Sequence, residues 1–341
     1  MNKNLFLECK DKIENKINEI LDKEMEKYSD NEFIKESIGE LKRLSSSGKR
    51  VRGYLIKLGA MLFGKDDDSY LDLAAAIEIF QTAILIHDDI IDEAQKRRGM
   101  QTINSKYPGH IGISKAICIG DLGFFISYRI INNANISKEL KEEIVKIYSK
   151  TLHNTVNGEI VDVELPLKSI SYHKSMSEKV IYDIYVNKTA WYTIIGPVLI
   201  GAASAGAKKE DKEKLIKMGT YLGIAFQIKD DLLGIYQDSD KMGKTLNDIK
   251  EGKQTIIYKY AIDHANKEEL KEIEKYYGNP SVTKEESKKI AELFDMLGAK
   301  KNAEELVKEY TDRGIEIIND MDVSNKDEFI TFADYLLNRE N

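Results

Sequence analysis

Apolar residues recur at helical spacing along most of the chain, and this pattern predicts an all-α protein. Residues 3–28 place apolar side chains between charged ones with the period of an amphipathic surface helix. The same period predicts further helices at 32–44, 54–64, 70–92, 112–133, 137–165, 174–207, 211–238, 255–264, 266–277, 282–297, 299–319 and 325–339. The sequence has no strand signals, short repeats or linkers rich in Gly, Ser or Pro, so we predict one domain spanning residues 1–341.

A cluster of acids interrupts this pattern at the end of a long apolar helix, in the sequence LIHDDIID. On a helix, Asp88 and Asp92 share a face and Asp89 flanks it. Carboxylates this close raise each other's pKa or require a cation. Oxygen-only clusters suit Mg²⁺, which takes one or two carboxylates and binds substrate phosphates. A solvated helix end is the alternative interpretation of this cluster alone.

A second pair of acids, Asp230 and Asp231, lies in the sequence FQIKDDLLG, again in an apolar helical run. Gln227 lies one turn before Asp230, as Gln81 lies two turns before Asp88, so each glutamine shares a face with the leading Asp. Two acidic helix ends in one chain can face each other across a cavity and hold several divalent ions between them.

Basic residues lie close to both acidic stretches. The sequence SSSGKRVRGY, with Lys49 and Arg52, begins an apolar helix, and amides at a helix start with nearby cations form an anion site. Arg97 and Arg98 follow the first acids, and Arg binds phosphate through a rigid fork. An ordinary basic loop is the alternative for each segment.

Lysines also accompany the second acidic stretch. Lys188 stands among apolar and aromatic residues in YVNKTAWY, and an inward-pointing lysine needs an anion or a carbonyl. Lys244 and Lys253 each follow a glycine in a polar stretch, where they could close over phosphates. Surface lysines are the alternative.

Composition narrows the class of protein. The 341 residues are 42% hydrophobic and 32% charged with only 4 prolines, which is typical of a soluble, mostly helical chain. The formal net charge of −7 argues against nucleic acid as a partner. Cys9 and Cys118 form neither a disulfide framework nor a zinc spacing, which favours a cytoplasmic location. Cys118 lies in an apolar run and is predicted to be a core residue.

The apolar runs predict no membrane span. The N-terminus is charged from its start and lacks the apolar core of a signal peptide. Residues 190–207 come closest to a span, but Gly196 and Pro197 interrupt them, and we predict a kinked core helix there.

Taken together and in this order, the motifs resemble those of the trans-isoprenyl diphosphate synthases, also called polyprenyl synthetases. The similar stretches run from about residue 48 to residue 255: GKRVRG, HDDIID followed by RRG, KT at 188–189, FQIKDDLLG and GKTLNDIKEGKQT. The resemblance implies a bundle of antiparallel helices around a deep apolar cavity, assembled as a homodimer. It also implies head-to-tail prenyl transfer, in which an allylic diphosphate ionises, isopentenyl diphosphate attacks the carbocation, a proton leaves and diphosphate is released.

The resemblance implies a role for each motif. Mg²⁺, the implied cofactor, would be held by five carboxylates: Asp88, Asp89, Asp92, Asp230 and Asp231. Isopentenyl diphosphate would be bound by Lys49, Arg52, Gln81 and Arg98. The allylic diphosphate would be bound by Arg97, Lys188, Lys244 and Lys253. Catalysis would use Lys188, Thr189 and Gln227, the last two as oxygen dipoles beside the carbocation.

Three residues depart from the family pattern. Gly53 stands where the family commonly has Pro, Gln81 where many members have His, and Gly234 where the second motif has a third Asp. Asp238 lies two turns beyond Asp230, roughly 12 Å along a helix, and is too far to substitute directly for the missing carboxylate.

Product length in the family depends on residues that precede the first Asp of the first motif. Ala83 and Ile84 occupy positions where bulky residues stop growth at the farnesyl length, and neither is aromatic. Phe80 lies two turns before Asp88 and would form a deeper floor. These residues favour geranylgeranyl diphosphate, with farnesyl or longer polyprenyl products as alternatives.

A terpene synthase and a non-catalytic partner subunit are further alternatives on the same fold. The basic motifs argue against the terpene synthase, because they would serve isopentenyl diphosphate. The intact carboxylates of both acidic motifs argue against a non-catalytic subunit.

Overall fold

The structure, a computed structural model, describes residues 2–236 and 247–337, and its regular structure is almost entirely helical. The first helices are α1 (Lys3–Glu26), α2 (Glu32–Ser45), α3 (Val51–Leu62), α4 (Leu71–Ile91), α5 (Ile103–Lys106), α6 (Gly109–Asn133) and α7 (Lys138–Glu164). They are followed by α8 (Ile170–Ser175), α9 (Lys179–Ile184), a π-helix (Tyr185–Ile195), α10 (Gly196–Ser204) and α11 (Lys209–Tyr236). The last helices are α12 (Asn247–Glu251), α13 (Ile256–His264), α14 (Lys267–Tyr276), α15 (Lys284–Met296), α16 (Ala299–Asp320) and α17 (Lys326–Leu337). The predicted all-α class is confirmed.

The chain divides into two compact units. The first unit comprises Met1–Ser149, Gly196–Glu213 and Asp322–Phe332. The second unit comprises Lys150–Ile195, Lys214–Met321 and Ala333–Asn341. A single domain around a deep apolar cavity stays a prediction from the sequence.

Helix α4 forms the centre of the first unit. Its sequence is apolar on all sides, and every residue from Leu73 to Ala83 is buried, as expected for a helix without a solvent face. It packs against α1, α3 and α6. Because Asp88 and Asp89 lie in its last turn, the core of the unit places both acids at one helix end.

The second unit has its own apolar core. Ile228 and Ile235 of α11 are fully buried there together with Phe294 of α15. Stacked and tilted rings extend this core, with the Tyr258 and Tyr277 ring centroids 4.4 Å apart. Side-chain caps delimit its surface helices, and α14 and α15 each begin with a capping box.

The predicted helix over 174–207 is interrupted in the structure. Helix α8 ends before Met176, whose backbone is extended, and the chain resumes as α9. The expected kink at Gly196 and Pro197 takes the form of a π-helix that ends directly before them. Proline lacks an N–H and its ring clashes with the carbonyl four residues earlier, which disfavours regular α-helical bonding at this point.

A small hairpin follows α4, although the sequence shows no strand signal. Its strands are β1 (Lys96–Arg97) and β2 (Met100–Gln101), which pair antiparallel. The two residues between them, Arg98 and Gly99, both have positive φ angles, of 52° and 78°. Two left-handed residues form the tight turn that matches the twist of a hairpin.

Within the residues that the structure describes, two helical stretches are long and apolar enough to cross a membrane by length and composition: Asp68–Ile91, which includes α4, and Gly109–Asn133, which is α6. The apolar window of the first is 67% buried within the protein, as in the core helix of a globular protein, and that of the second is 39% buried. The absence of a membrane span therefore stays a prediction.

Cys118 of α6 is exposed, whereas Cys9 of α1 is buried. The prediction that Cys118 is a core residue was wrong. The apolar run around it belongs to a helix with several exposed hydrophobic side chains, so local hydrophobicity did not indicate burial.

Candidate active site

Three acids cluster at the C-terminal end of α4, as predicted. Asp88 and Asp89 lie in the last turn, and Asp92 is the C-cap, with its N–H donating to the Asp88 carbonyl at 2.9 Å. This is an unfavourable place for carboxylates, because the helix dipole is negative there and the last turn holds no basic residue. Burial, and then the charges of Asp88 and Asp92, raise the pKa of Asp89 despite opposition from Arg97. The cluster therefore needs positive charge.

Arg97 of strand β1 supplies positive charge to this cluster. Its Nη2 lies 2.6 Å from Oδ2 of Asp88, and its Nε donates to Oδ1 of Asp89. The hairpin that carries Arg97 is tied to the end of α4, since the Ala94 N–H and the Asn104 side chain donate to the Asp89 carbonyl at 2.9 and 3.1 Å. The structure thus brings together two predicted metal ligands and a predicted allylic diphosphate ligand.

Arginines form a second cluster beside the acids. Burial and the charge of Arg52 lower the pKa of Arg98, the charge of Glu78 opposes them, and the charges of Arg97 and Arg50 lower the pKa further. Arginine stays protonated at any physiological pH, so this part of the first unit concentrates positive charge. Such a cluster attracts an anion.

A pocket in the first unit is lined by one of the acids and by two of the arginines. Its lining combines apolar and polar residues: Leu44, Ser47, Thr82, Leu85, Ile86, Asp89, Arg97, Arg98 and Met100. One residue of this lining, Arg98, is among the four residues predicted to bind isopentenyl diphosphate. Lys49 is exposed, and Arg52 and Gln81 are buried on α3 and α4.

Arg50 was not assigned a role from the sequence, yet it shapes this region. It is only 2% exposed, has a left-handed backbone with φ of 56°, and donates to the Ser45 carbonyl at 2.6 Å. Its Nη1 lies 3.8 Å from Oε2 of the buried Glu78. A basic residue within a basic run gives no local signal that separates it from its neighbours, so only the fold could identify it.

The second acidic pair lies in α11, and its members have different surroundings. Asp231 is 4% exposed, and its carboxylate accepts hydrogen bonds from the Tyr185 hydroxyl and from the Gln227 amide at 2.8 Å. Asp230 is half-buried. Burial, and then the charges of Asp248 and Asp230, raise the pKa of Asp231 well above its usual range, although both hydrogen bonds act in the opposite direction.

Thr189 and Gln227, predicted to act together, are in contact. The Thr189 hydroxyl donates to Oε1 of Gln227. Gln227 bonds to Asp231, four residues later, rather than to Asp230 on the predicted face. The π-helix brings Thr189 to this position.

Lys188 and Lys253 meet at one carboxylate of α7. Oδ2 of Asp162 lies 2.6 Å from the Lys188 Nζ and 3.1 Å from the Lys253 Nζ. Glu159 adds a second carboxylate, 2.9 Å from Lys188. Burial by itself would raise the pKa of Asp162, but the charges and hydrogen bonds of the two lysines lower it. Asp162 is thus a shared partner of both lysines, and it lies outside the family motifs.

A close approach of two helices fixes the position of Lys188. A Cβ on Gly158 of α7 would lie only 2.2 Å from the Lys188 backbone nitrogen. Since no side chain fits at that distance, glycine is what allows the π-helix to lie against α7 there.

Other predicted residues are placed as follows. Lys244 lies outside the described residues. Phe80 is 1% exposed and packs against Phe124 and Tyr148, with ring centroids 5.6 and 5.5 Å apart. Ala83 is fully buried and faces Gly123, whereas Ile84 is half-buried.

Comparison with known proteins identifies the family that these features belong to. The family model described as polyprenyl synthetase matches residues 34–296, which include both acidic stretches and all the basic motifs. This chain is a member of the polyprenyl synthetase family. The identification confirms the resemblance that the sequence motifs indicated.

Relatives of this polyprenyl synthetase agree with the assignment. A short chain isoprenyl diphosphate synthase from Methanocaldococcus jannaschii is 33% identical over 74% of this chain and 73% of its own length. A geranylgeranyl diphosphate synthase from Sulfolobus acidocaldarius is also 33% identical, over 73% of this chain and 74% of its own. Among solved structures, the geranylgeranyl pyrophosphate synthase from Corynebacterium glutamicum, complexed with isoprenyl diphosphate and magnesium, is similar with a TM-score of 0.88. That protein is 26% identical, and the similarity covers 96% of this chain and 97% of the other.

The structure explains why this polyprenyl synthetase departs from the family pattern at Gly53. The Gly53 N–H donates to Oε1 of the buried Glu78 at 2.9 Å, and a proline would remove that donor. A Cβ at Gly53 would also lie 2.8 Å from the side chain of Ile13.

The departure at Gly234 leaves room for another carboxylate. A Cβ on Gly234 would lie 2.1 Å from Oδ2 of Asp248, so the acid from α12 fills the space beside this glycine. The sequence shows that a third Asp is missing from the motif, but not that Asp248 lies next to the gap.

Proposed function

We propose that this polyprenyl synthetase catalyses head-to-tail condensation of isopentenyl diphosphate with allylic diphosphates, with geranylgeranyl diphosphate as the main product. The observation that carries this proposal is the pairing of opposite charges in the first unit, where Asp88 and Asp89 hold Arg97 beside a cluster of further arginines. A diphosphate bound to magnesium also combines both charges, because the metal is positive and the phosphates are negative. Carboxylates would meet the metal and arginines would meet the phosphates.

The acids fit a magnesium ion by the chemistry of their donors. The first cluster, Asp88, Asp89 and Asp92, offers only carboxylate oxygens, and Mg²⁺ prefers such ligands. Among the residues that the structure describes, no group of three His, Cys, Asp or Glu side chains is arranged to hold a metal ion, and Arg97 contacts two of these acids. Asp230 and Asp231 would complete the metal ligands. When bound, the metal would supply Lewis-acid stabilisation of the charge on the leaving diphosphate.

The basic residues of this chain would hold the two diphosphates. Arg97 would exchange its contacts with Asp88 and Asp89 for the allylic diphosphate, and Lys188 and Lys253 would bind the same group. Both lysines already contact Asp162, which holds their ammonium groups near one another before an anion arrives. Lys244 belongs to the same proposed set.

Isopentenyl diphosphate would bind where the first unit concentrates positive charge. Arg98 lines the pocket. Its pKa is lowered mainly by burial, and the charges of Arg52 and Arg97 lower it further. An anion would relieve this repulsion. Lys49, Arg52 and Gln81 would contribute further donors.

The carbon skeleton would be accommodated by apolar and oxygen-bearing residues. Thr189 and Gln227 would present oxygen dipoles to the carbocation. Phe80, Ala83 and Ile84 would limit chain growth, with the ring cluster of Phe80, Phe124 and Tyr148 as the floor. Farnesyl and longer polyprenyl diphosphates are the alternative products.

We also propose that the protein is a homodimer. Helix α6 carries large exposed hydrophobic side chains, and four of them, Ile113, Ile117, Phe125 and Tyr128, fall on one side of the helix. Clustered exposed apolar side chains of this kind mark an interaction surface. The family resemblance names a second copy of the chain as the partner.

The test incubates the purified protein with Mg²⁺, isopentenyl diphosphate and, in turn, dimethylallyl, geranyl and farnesyl diphosphate. Product alcohols are separated after phosphatase treatment, with a metal-free control. We expect metal-dependent elongation that ends mainly at geranylgeranyl length. In Asp88→Ala the turnover should be lost with the fold retained, whereas Asp68→Ala, which removes an exposed acid paired with Lys12, should have wild-type turnover.

Each of the other outcomes would contradict a different part of this proposal. Release of diphosphate from a primer alone, without elongation, would indicate a terpene synthase. Inactivity with every primer would indicate a non-catalytic subunit. Normal turnover in Asp88→Ala would contradict the metal assignment.

A further inference from the structure

A buried chain of hydrogen bonds links three separate segments of the second unit. The Ile256 N–H, at the start of α13, donates to the Tyr185 hydroxyl oxygen at 2.8 Å. Tyr185 donates to Asp231, Asp231 also accepts from Gln227, and Gln227 accepts from Thr189. The chain thus runs from a backbone amide to the two side chains proposed to face the carbocation.

The Ile256 N–H at one end of this chain determines which oxygen each hydroxyl proton points to. A backbone N–H can only donate, so the Tyr185 oxygen accepts from Ile256 and its own proton is directed to Asp231. The Gln227 amide nitrogen lies against Asp231, so its carbonyl oxygen faces Thr189. Thr189 must therefore donate its proton to Gln227.

This direction has a chemical consequence at Thr189. A hydroxyl group has one proton and two lone pairs, and the proton of Thr189 is used by Gln227. Only lone pairs are left for any other neighbour of that oxygen. Electron pairs stabilise an allylic cation, whereas an O–H proton pointing at the cation would oppose it.

We propose that Tyr185 is a positioning residue for prenyl transfer, because its hydroxyl fixes the orientation of Gln227 and Thr189 through Asp231. The inference rests on the proposed function. Tyr185 is 3% exposed and Asp231 4% exposed, so water does not readily replace either partner. Without the hydroxyl, Asp231 loses one of its two donors, and its carboxylate is held less firmly in the orientation that receives the Gln227 amide.

The test is Tyr185→Phe, which removes one oxygen and keeps the ring. Because carbocation stabilisation acts in the transition state, kcat should fall about tenfold while the KM values of both diphosphates stay within about twofold. The Kd of inorganic diphosphate, measured by calorimetry, should not change. Loss of packing alone would instead affect binding through displacement of Lys188 and Lys253.

Tyr54→Phe is the matched control. Tyr54 is also fully buried and also donates its hydroxyl to a carboxylate, Oε1 of Glu328 at 2.9 Å. It has no proposed part in the reaction, so its loss should leave kcat unchanged. An equal fall of kcat in both variants would overturn the inference.

Two double-mutant cycles add evidence, and the first of them does not depend on activity. Tyr185→Phe and Gln227→Leu share Asp231, so their effects on the free energy of unfolding should not be additive. Likewise, Thr189→Val should reduce kcat less in the Tyr185→Phe background than in the wild type. Additive effects in both cycles would overturn the inference, even if the wild type elongates normally. If the wild type does not elongate, the proposed function and the positioning role of Tyr185 in prenyl transfer are both overturned. Additivity of the free energies of unfolding would still show whether the chain of hydrogen bonds exists.

Discussion

At the scale of residues, neighbours in the sequence have different surroundings in the fold. Asp230 and Asp231 are adjacent and chemically identical, yet Asp231 is buried and doubly hydrogen-bonded whereas Asp230 is half-buried. Each oxygen of Asp231 accepts one hydrogen bond, so Asp231 would join the proposed metal ligands through its remaining lone pairs while it also orients Gln227. A paired motif can thus contain residues with separate tasks.

Phe80 offers a test of product length. Phe80→Leu should lengthen the main product if the ring cluster with Phe124 and Tyr148 stops growth, because a smaller side chain opens space at the floor. Leucine is chosen because Phe→Ala in a core costs about 3–5 kcal/mol. Phe6→Leu, which alters a different buried aromatic cluster around Tyr54, is the control. Chromatography of the product alcohols measures the effect, and unchanged products would remove Phe80 from this role.

His173 predicts how stability depends on pH. Burial lowers its pKa, against a hydrogen bond from Nε2 to the Leu165 carbonyl at 2.9 Å, and Nδ1 faces the Tyr258 hydroxyl at 3.0 Å. An unfolded histidine binds its proton near pH 6.5, so below that pH the unfolded state binds more protons than the folded one. The stabilisation is present above about pH 6.5 and is lost as the pH falls towards the folded pKa.

Denaturant unfolding at a series of pH values checks this prediction. The free energy of unfolding should fall less steeply below pH 6.5 in His173→Gln than in the wild type. Equal slopes would show that other groups cause the acid dependence. His264, which is exposed and outside this cluster, gives the matched variant His264→Gln.

At the scale of elements, irregular segments position the candidate site. The π-helix carries Lys188 and Thr189, and the hairpin after α4 carries Arg97 and Arg98. Wide helical turns and left-handed residues cost free energy, so they persist only where the surrounding fold determines them. The long regular helices form the core of each unit. Within each unit a short irregular segment brings a cation to an acid, Arg97 to Asp88 in the first unit and Lys188 to Asp162 in the second.

The contact between α7 and the π-helix can be tested with glycine substitutions. Gly158→Ala should destabilise the protein by about 1–3 kcal/mol, because its Cβ would overlap the Lys188 backbone. It should also weaken binding of the allylic diphosphate. Gly39→Ala should instead stabilise by about 0.5–1 kcal/mol, since its nearest neighbour would be 3.9 Å away. Denaturant unfolding measures both, and equal effects would contradict the close-packing argument.

At the scale of the whole molecule, exposed hydrophobic residues are concentrated on particular helices. Phe125 of α6 is 73% exposed and Ile117 45%. Large apolar clusters on a protein surface mark interfaces, whereas single exposed hydrophobic residues are common. The exposed apolar side chains of α6 therefore support the proposed assembly of two copies of the chain through that helix.

Sedimentation tests the dimer. The wild type should sediment with twice the 38.9 kDa mass of one chain. Phe125→Glu should sediment as a monomer, because burying a charge at the interface is costly. Phe33→Glu, on an isolated phenylalanine of α2 that is 82% exposed, should stay dimeric. A dimeric Phe125→Glu would place the interface elsewhere.

The sequence by itself determined the helices, the two acidic motifs and the family. Helical periodicity and motif order are local properties, and each helix needs little more than its own apolar pattern and caps to be recognised. For the same reason, the positions of the long helices were predicted. The short helices α5, α8 and α12 were not, and the π-helix and the break before α9 override the regular period.

Only the tertiary structure decided which residues meet. Asp162 joins Lys188 and Lys253, Tyr185 bonds to Asp231, and Asp248 fills the space beside Gly234. These partners lie on different elements, and no periodicity relates them, so the sequence alone could not show which of them are in contact. Burial likewise depends on what covers a helix, which is why Cys118 is exposed although its neighbours in the sequence are apolar.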